Sequence, residues 1–299
     1  MCESSLRVQP AALTVACLLA AVAAASPLAA QAGTDIYLAP LRSEAGRFTV
    51  GEPVNVTKRA GYDNQPFFTP DGRSLLYTSI DAGGRADIHR LDIAAGRSVN
   101  VTNTPESEYS ATPLPDGGFS VIRVEADSAQ RLWRFAADGT SPSLVLADVE
   151  PVGYHAWGDA STLALFVLGS PATLQIADAR SGRARVIAEG IGRSLQKIPG
   201  GAEVTFVRRT GEDGFRVEAV DVRSGTTRVL VDAVPGGEFH AWTPDGALLM
   251  TSGMKLYEWR PTSPRWREVA DFTAQGLRLS RIAVSPAGDR IALVADEGG

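Results

Sequence analysis

A tight-turn motif recurs six times along this chain at nearly constant spacing. Three copies have the sequence Pro-Asp-Gly, and the other three occupy equivalent positions with related residues. The copies begin at Pro70, Pro115, Asp159, Pro199, Pro244 and Pro286. Their first residues are 45, 44, 40, 45 and 42 positions apart. A period of about 40 to 45 residues is the length of one four-stranded propeller blade, so the motif predicts a repeat architecture.

The residues around each turn predict a β-hairpin. Short apolar stretches such as residues 67–68 precede the turns, and runs such as residues 75–78 and 248–251 follow them. Proline presets φ at the second turn position, aspartate accepts hydrogen bonds there, and glycine adopts a positive φ without steric cost. Further short β-branched runs follow at intervals of about ten residues, and no helical periodicity is present after residue 32. The chain is therefore predicted to be all-β.

The two ends of the repeat region complement each other. The last repeat contains only two strands, ending near Ala295, while residues 35–38 and 54–57 match the third and fourth strands of the other repeats. This predicts a six-bladed β-propeller whose last blade is closed by strands from both termini, which removes exposed sheet edges. Seven blades is the alternative if one loop contains further strands. The predicted blades span about 65–108, 109–152, 153–193, 194–237, 238–278, and 279–299 together with 34–58.

The first 32 residues predict a secretory signal peptide. Arg7 precedes an apolar run over residues 11–25, and Ala30-Gln31-Ala32 matches an A-x-A cleavage site. The mature propeller domain would then span residues 33–299 in the periplasm or outside the cell, with no membrane span. A retained anchor and lipid attachment at Cys17 are the alternatives. Cys2 and Cys17 both lie in this leader, so the mature chain is expected to have neither a disulfide nor a thiol nucleophile.

The overall composition excludes one large class of partners. The chain has 299 residues, 44% of them hydrophobic and 21% charged, with a net charge of −5. This hydrophobic content suffices for a large core. A mildly acidic chain without basic runs lacks the positive face that nucleic acid requires.

The repeats resemble a known family. The Pro-Asp-Gly turn, the Leu-Leu-Tyr run at 75–77 and the Val-Asn-Val-Thr-Asn-Thr-Pro segment at 99–105 are similar to the WD40-like (PD40) repeats of the TolB type. The resemblance covers residues 34–299 and implies a periplasmic propeller that engages protein partners of the cell envelope. TolB members have an additional N-terminal domain, for which no segment is expected between the leader and Thr34. The Gly-His and Trp-Asp pattern of eukaryotic WD40 repeats is also absent.

Sequence motifs of catalysis are missing from the chain. It contains no Gly-x-Ser-x-Gly elbow, no His-Glu-x-x-His, no phosphate loop and no EF-hand loop. No catalytic residue, metal or cofactor is predicted. The leading hypothesis is a non-catalytic binding or scaffold protein with an envelope protein as its partner. The alternative is a carbohydrate- or metal-binding propeller, a sensor or a lyase-like enzyme, that uses its central channel for a small ligand.

His155 and His240 are candidate binding residues. They occur in the related segments Tyr-His-Ala-Trp and Phe-His-Ala-Trp, four positions before a turn, on the strand expected to line the channel. Propellers similar to this one that act as polysaccharide lyases use channel histidines around a metal. The alternative is that both rings fill space between blades and bind backbone groups. The equivalent positions in the other repeats hold residues that cannot bind a metal: Pro66, Ala111, Leu195 and Ile282.

The five tryptophans divide into two groups. Trp157 and Trp242 recur in register and are predicted to pack between blades, because a buried indole covers a large area. Trp259 and Trp266 flank the proline-containing hairpin at 261–264, are expected to be more exposed, and are candidates for a surface contact with a ligand or partner.

Overall fold

The strands of the described residues build six antiparallel sheets. The computed structural model describes Met1, residues 33–212 and residues 214–296. The predicted leader, its cleavage site after Ala32, and Cys2 and Cys17 lie outside the described residues, Met1 apart. In the described part the helical structure is one 3-10 turn at Thr273–Gln275. No helix in that part is long and apolar enough to cross a membrane.

The strands run in chain order as follows: β1 (Thr34–Glu44), β2 (Arg47–Val50), β3 (Val54–Asn55), β4 (Asp63–Phe68), β5 (Ser74–Ile80), β6 (Ala86–Asp92), β7 (Arg97–Asn100), β8 (Ser107–Pro113), β9 (Phe119–Val124), β10 (Gln130–Phe135), β11 (Ser143–Leu144), β12 (Val152–Trp157), β13 (Thr162–Val167), β14 (Thr173–Asp178), β15 (Ala184–Glu189), β16 (Ile191–Lys197), β17 (Glu203–Arg209), β18 (Phe215–Asp221), β19 (Thr227–Asp232), β20 (His240–Trp242), β21 (Leu248–Ser252), β22 (Lys255–Trp259), β23 (Arg267–Asp271), β24 (Leu279–Val284) and β25 (Arg290–Asp296).

Five of the sheets are meanders of four consecutive strands. They comprise β4–β7, β8–β11, β12–β15, β16–β19 and β20–β23. The first strand of each sheet lines a central channel, and the fourth lies at the outer edge, where Val99, Val186 and Val229 are exposed. The six-bladed propeller is confirmed, and the described residues form no seventh sheet. The innermost strands β4, β8 and β16 begin at Asp63, Ser107 and Ile191, slightly before the blade starts expected at 65, 109 and 194.

The sixth blade is shared between the two ends of the repeat region, as predicted. Thr34–Pro40 of β1 pair antiparallel with Arg290–Asp296 of β25, and β24 and β3 complete the sheet. One feature of this blade is absent from the prediction. β1 continues to Glu44, turns through Ala45 and Gly46, and pairs with β2. Phe48 on β2 is buried against the fifth and sixth blades, which fixes this extra hairpin.

The repeated turns have the geometry that their sequence predicts. Gly72 N–H donates to Thr69 O at 2.8 Å, and Asp71 Oδ1 accepts from Arg73 N at 3.0 Å. Gly72 has a φ of 66°, a conformation that favours glycine. A type I turn followed by one left-handed residue is a common hairpin connection, and it links β4 to β5 here.

The hydrophobic core lies between the blades. Six clusters of buried apolar side chains are present, one at each junction of neighbouring sheets. Ile36 of the sixth blade, for example, packs with Phe68 and Leu75 of the first. Each blade therefore buries both faces only through its neighbours, and the closed ring holds the inner strands at fixed positions around the channel.

Candidate functional site

Rings of side chains line the central channel, because residues at the same distance from the turn lie at the same level on all six inner strands. The ring five positions before each turn consists of Gln65, Ser110, Tyr154, Ser194, Phe239 and Arg281. The next ring along the strands consists of Pro66, Ala111, His155, Leu195, His240 and Ile282. Both rings border one cavity at the end of the channel where the inner strands begin. We call this end, formed by Tyr154, Arg193, Phe239 and Arg281, the arginine mouth.

A second cavity of about 350 Å³ continues the channel towards the turns. Trp157, Trp242 and Lys197 contribute to its wall, and Asp159 lies at the end where the strands turn. We call this end, formed by the Pro-Asp-Gly turns and their equivalents, the turn mouth. The channel thus has two chemically different ends, one with two arginines and one with indole rings.

The two channel histidines have the same hydrogen-bond arrangement at Nε2 in different blades. His155 Nε2 lies 2.7 Å from Ser120 Oγ, which also accepts from Trp157 Nε1 at 2.9 Å. His240 Nε2 lies 2.8 Å from Thr205 Oγ1, which accepts from Trp242 Nε1 at 3.0 Å. Both hydroxyls belong to the second strand of the preceding blade. The prediction that Trp157 and Trp242 pack between blades is confirmed. The expectation that the histidine rings bind backbone groups is wrong, because their hydrogen-bond partners are side-chain hydroxyls.

Burial keeps both imidazoles neutral. His155 and His240 are almost entirely removed from solvent. Desolvation lowers the pKa of His155 to about 3 and that of His240 to about 4. Burial disfavours the charged form of histidine, and no carboxylate offsets that effect here. The third histidine, His89, packs against Tyr77 with ring centroids 5.6 Å apart, away from the channel rings.

The two candidate surface tryptophans lie on the outer part of the fifth blade, and neither lines the channel cavities. Trp259 is only 6% exposed and packs with Val217 and Met250, so its expected exposure is wrong. The pleat of β22 directs its indole into the junction with the fourth blade. Trp266 is half-buried, and its Nε1 donates to Asp232 O at 2.8 Å. The structure brings His155 and His240 into one ring but places neither tryptophan there.

Sequence reasoning did not find the arginine mouth. Arg281 Nη2 donates to Tyr154 Oη at 2.7 Å, and the Arg281 Cζ atom lies 4.3 Å from the Phe239 ring centroid and 5.2 Å from that of Tyr154. Arg193 is paired instead: its backbone N donates to Glu238 Oε1 at 2.7 Å and its Nη2 to Glu238 Oε2 at 3.1 Å. Tyr154 and Phe239 lie one position before the two histidines, and Arg281 occupies the equivalent position in the sixth repeat. An alignment of the repeats therefore places these three residues in one ring.

Burial raises the pKa values of two tyrosines, Tyr62 and Tyr109. Burial raises the pKa of Tyr62 to about 12, although the positive charge of Arg281 opposes that rise. Burial likewise raises the pKa of Tyr109. Phe239, whose ring contacts the Arg281 guanidinium at 4.3 Å, carries no charge that could neutralise it.

Comparisons with known proteins support the fold. No protein-family model matches the chain. A structure described as a TolB from Agrobacterium tumefaciens is 16% identical, with a TM-score of 0.68 over 89% of this chain and 99% of that one. TolB from Acinetobacter baumannii is 14% identical, with a TM-score of 0.57 over 88% of this chain and 64% of that one. An oligogalacturonate lyase in complex with manganese is 15% identical, with a TM-score of 0.58 over 84% and 83%. At these identities the likeness shows a propeller fold shared with TolB and nothing about activity.

The channel residues do not fit the manganese that accompanies that lyase. In residues 33–212 and 214–296, no three His, Cys, Asp or Glu side chains gather as a metal-binding group. Manganese favours oxygen ligands, and the ring that contains the two histidines is otherwise apolar. The hydroxyls that hold the Nε2 atoms belong to the blade-to-blade contacts. We therefore assign no metal to this channel.

Proposed function

We propose that this protein is a non-catalytic binding module of the bacterial cell envelope, exported to the periplasm, whose protein partner docks on the arginine mouth. The observation that supports this proposal is the state of Arg281. Its guanidinium lies between two aromatic rings at the channel entrance, and no carboxylate of the described chain lies within 4 Å of it. Arginine, tyrosine and phenylalanine are enriched in the cores of protein interfaces, where arginine and tyrosine often supply much of the binding energy.

A non-catalytic role is consistent with the histidines. A general base works best when its pKa lies near the operating pH. Burial lowers the pKa values of His155 and His240 to about 3 and about 4, which leaves neither ring prepared to exchange protons near neutrality. Their Nε2 atoms also bind hydroxyls between blades. These features favour a structural role for the side-chain ring that contains the histidines. The arginine mouth is then the part of the channel available for recognition.

Export to the periplasm rests on two expectations from the sequence. Residues 1–32 have the pattern of a cleaved leader, and the repeats resemble those of the TolB family. The fold shared with TolB is consistent with both. A rigid ring that presents loops at its rims suits recognition of another protein.

Site-directed photocrosslinking tests the proposal with a matched pair of alanines. Ala60 is exposed in the loop that leads into β4 at the arginine mouth, and Ala287 is exposed in a turn at the turn mouth. A photoreactive residue is placed at either position in the full chain, expressed in its own cells. We expect one or two reproducible envelope adducts from Ala60 and none from Ala287. Equal labelling from both positions would contradict the proposal. So would a rise in melting temperature with oligosaccharides alone and no adduct, which indicates a small-ligand propeller.

A further inference from the structure

The charges inside the channel oppose the charge of the whole molecule. The chain has a net charge of −5, yet three cationic side chains and one carboxylate line the channel cavities. They are Arg193, Arg281, Lys197 and Asp159. Arg193 is paired with Glu238, and Asp159 is paired with Arg223 at 3.2 Å. Lys197 Nζ donates to Gly158 O at 2.7 Å and, like Arg281, has no carboxylate within 4 Å in the described part of the chain. Neither Arg281 nor Lys197 forms a salt bridge in the described part of the chain, although Arg281 is close enough to Glu238 to help lower the pKa of that carboxyl.

Arg281 forms a hydrogen bond across the mouth. It lies on the sixth blade and Tyr154 on the third, so their hydrogen bond joins opposite sides of the ring. The guanidinium has five N–H groups, and the neighbouring acceptors are Tyr154 Oη and, at 3.4 Å, Asn64 Oδ1. Its planar fork therefore has donors left for a bidentate partner.

One hydrogen bond of the repeat is missing from the cavity that Arg281 also lines. Between the fourth and fifth blades, Ser194 Oγ lies 3.0 Å from His240 Nδ1. The equivalent atoms between the second and third blades are Ser110 Oγ and His155 Nδ1, and both are buried without a hydrogen-bond partner. Ser110 has a φ of 56°, and its backbone N–H binds Gln65 Oε1 at 2.8 Å. A buried hydroxyl without a partner costs free energy that a ligand oxygen recovers.

We propose that the arginine mouth is a carboxylate-binding site, in which Arg281 receives the carboxylate and the Ser110 hydroxyl donates to it. This inference rests on the proposed function, since it assigns the carboxylate to an acidic side chain of the docked protein. Guanidinium and carboxylate form two parallel charge-assisted hydrogen bonds, and a channel wall of low dielectric strengthens them. A phosphate or sulfate group is a poorer match, because the channel cations are distributed along its length and only one guanidinium at the entrance is unpaired.

NMR titration of the isotope-labelled propeller tests the site at constant ionic strength. The probes are the capped peptide acetyl-Gly-Glu-Gly-amide, its glutamine counterpart as a neutral control, and succinate as a free acid. We expect saturable shifts at Arg281 and Ser110 with the glutamate peptide and none with the glutamine peptide. Tighter binding of the peptide than of succinate supports a protein side chain as the source, and the reverse order supports a free acid at the same site.

Two variants and one control make the titration decisive. Arg281→Gln should weaken peptide binding about tenfold or more, because a charge-assisted bond is lost. Ser110→Ala should weaken it a few-fold while it leaves the mouth folded. Arg42→Gln changes an exposed arginine on β1 and should leave the affinity unaltered. Absence of saturable shifts in the folded wild-type protein, or equal affinities of the Arg281→Gln and Arg42→Gln variants, would overturn the proposal.

Failure of this inference is distinguishable from failure of the proposed function. Envelope adducts from Ala60 without any carboxylate binding would leave the docking role intact and remove the carboxylate site. Carboxylate binding without adducts would retain the site and remove the protein partner.

Discussion

At the scale of single residues, equivalent polar atoms of the channel differ in whether they have hydrogen-bond partners. His240 has hydroxyl partners on both ring nitrogens, whereas His155 has one on Nε2 alone. Both rings lie in the same position of the repeat, which the sequence alone predicted. The partners were not predictable, because Ser120 and Thr205 belong to the preceding blades and nothing local in the sequence relates them to the histidines. The positions of the histidines therefore follow from the repeat sequence, whereas their hydrogen-bond partners follow from contacts between neighbouring blades.

The buried histidines predict a loss of stability in acid. Their folded-state pKa values, about 3 and about 4, lie below the value of about 6.5 expected in the unfolded chain. Between those limits the unfolded state binds more protons, so the stabilisation is complete above pH 6.5 and decreases as the pH falls towards 4. Each ring should cost about 2 kcal/mol of unfolding free energy at pH 5. NMR titration of the imidazole signals checks this, and a midpoint near 6.5 for either buried ring would contradict it.

A glycine pair in one turn predicts a local backbone effect. Gly200 has a φ of 81°, and a Cβ atom added to it would contact no atom within 4 Å. Gly201, the next residue, does not have a positive φ, and a Cβ atom there would make only an ordinary contact, at 3.9 Å from Glu203 N. Gly200→Ala should lower the free energy of unfolding by about 1 kcal/mol, because an alanine is strained in the left-handed region. Gly201→Ala should have no such cost. Urea unfolding of both variants measures the difference, and equal losses would show that the turn geometry is incorrect.

At the scale of elements, the sequence predicted hairpins well and irregularities poorly. The turn between β4 and β5 depends on Pro70, Asp71 and Gly72, whose preferences are local and therefore visible in the sequence. A bulge between Asn64 and Phe67 on β4 accompanies the placement of Gln65 at the channel, and the repeat pattern did not predict it. The β1–β2 hairpin was also missed, since Phe48 is fixed by contacts with the fifth blade.

The shared blade predicts that β1 is essential to the core. Ile36 is fully buried between the sixth and first blades. Ile36→Ala should reduce the free energy of unfolding by about 2–5 kcal/mol, the usual cost of a cavity in a core. Val54 on the neighbouring β3 is 55% exposed, and Val54→Ala should change stability by no more than about 0.5 kcal/mol. Chemical denaturation of both variants compares them, and similar small effects would mean that β1 does not close the ring.

At the scale of the whole molecule, the arginine mouth exists only because the ring is closed. Arg281 and Tyr154 are 127 positions apart in the chain, and no periodic pattern links an arginine in one repeat to a tyrosine three repeats away. The sequence could predict the fold because each blade repeats the same local chemistry. The register of the repeats places the six side chains of the ring at one level of the channel, but it did not reveal the contact between Arg281 and Tyr154, because the chemistry of that ring changes from blade to blade.

The most direct test of the account is the dependence of photocrosslinking from Ala60 on Arg281. The yield of envelope adducts is compared in the wild-type, Arg281→Gln and Arg42→Gln backgrounds, with the reagent at Ala60 in each. We predict that Arg281→Gln abolishes or strongly reduces the adducts, while Arg42→Gln leaves them at the wild-type level. Adducts that persist unchanged in the Arg281→Gln background would contradict the assignment of the arginine mouth as the site of recognition.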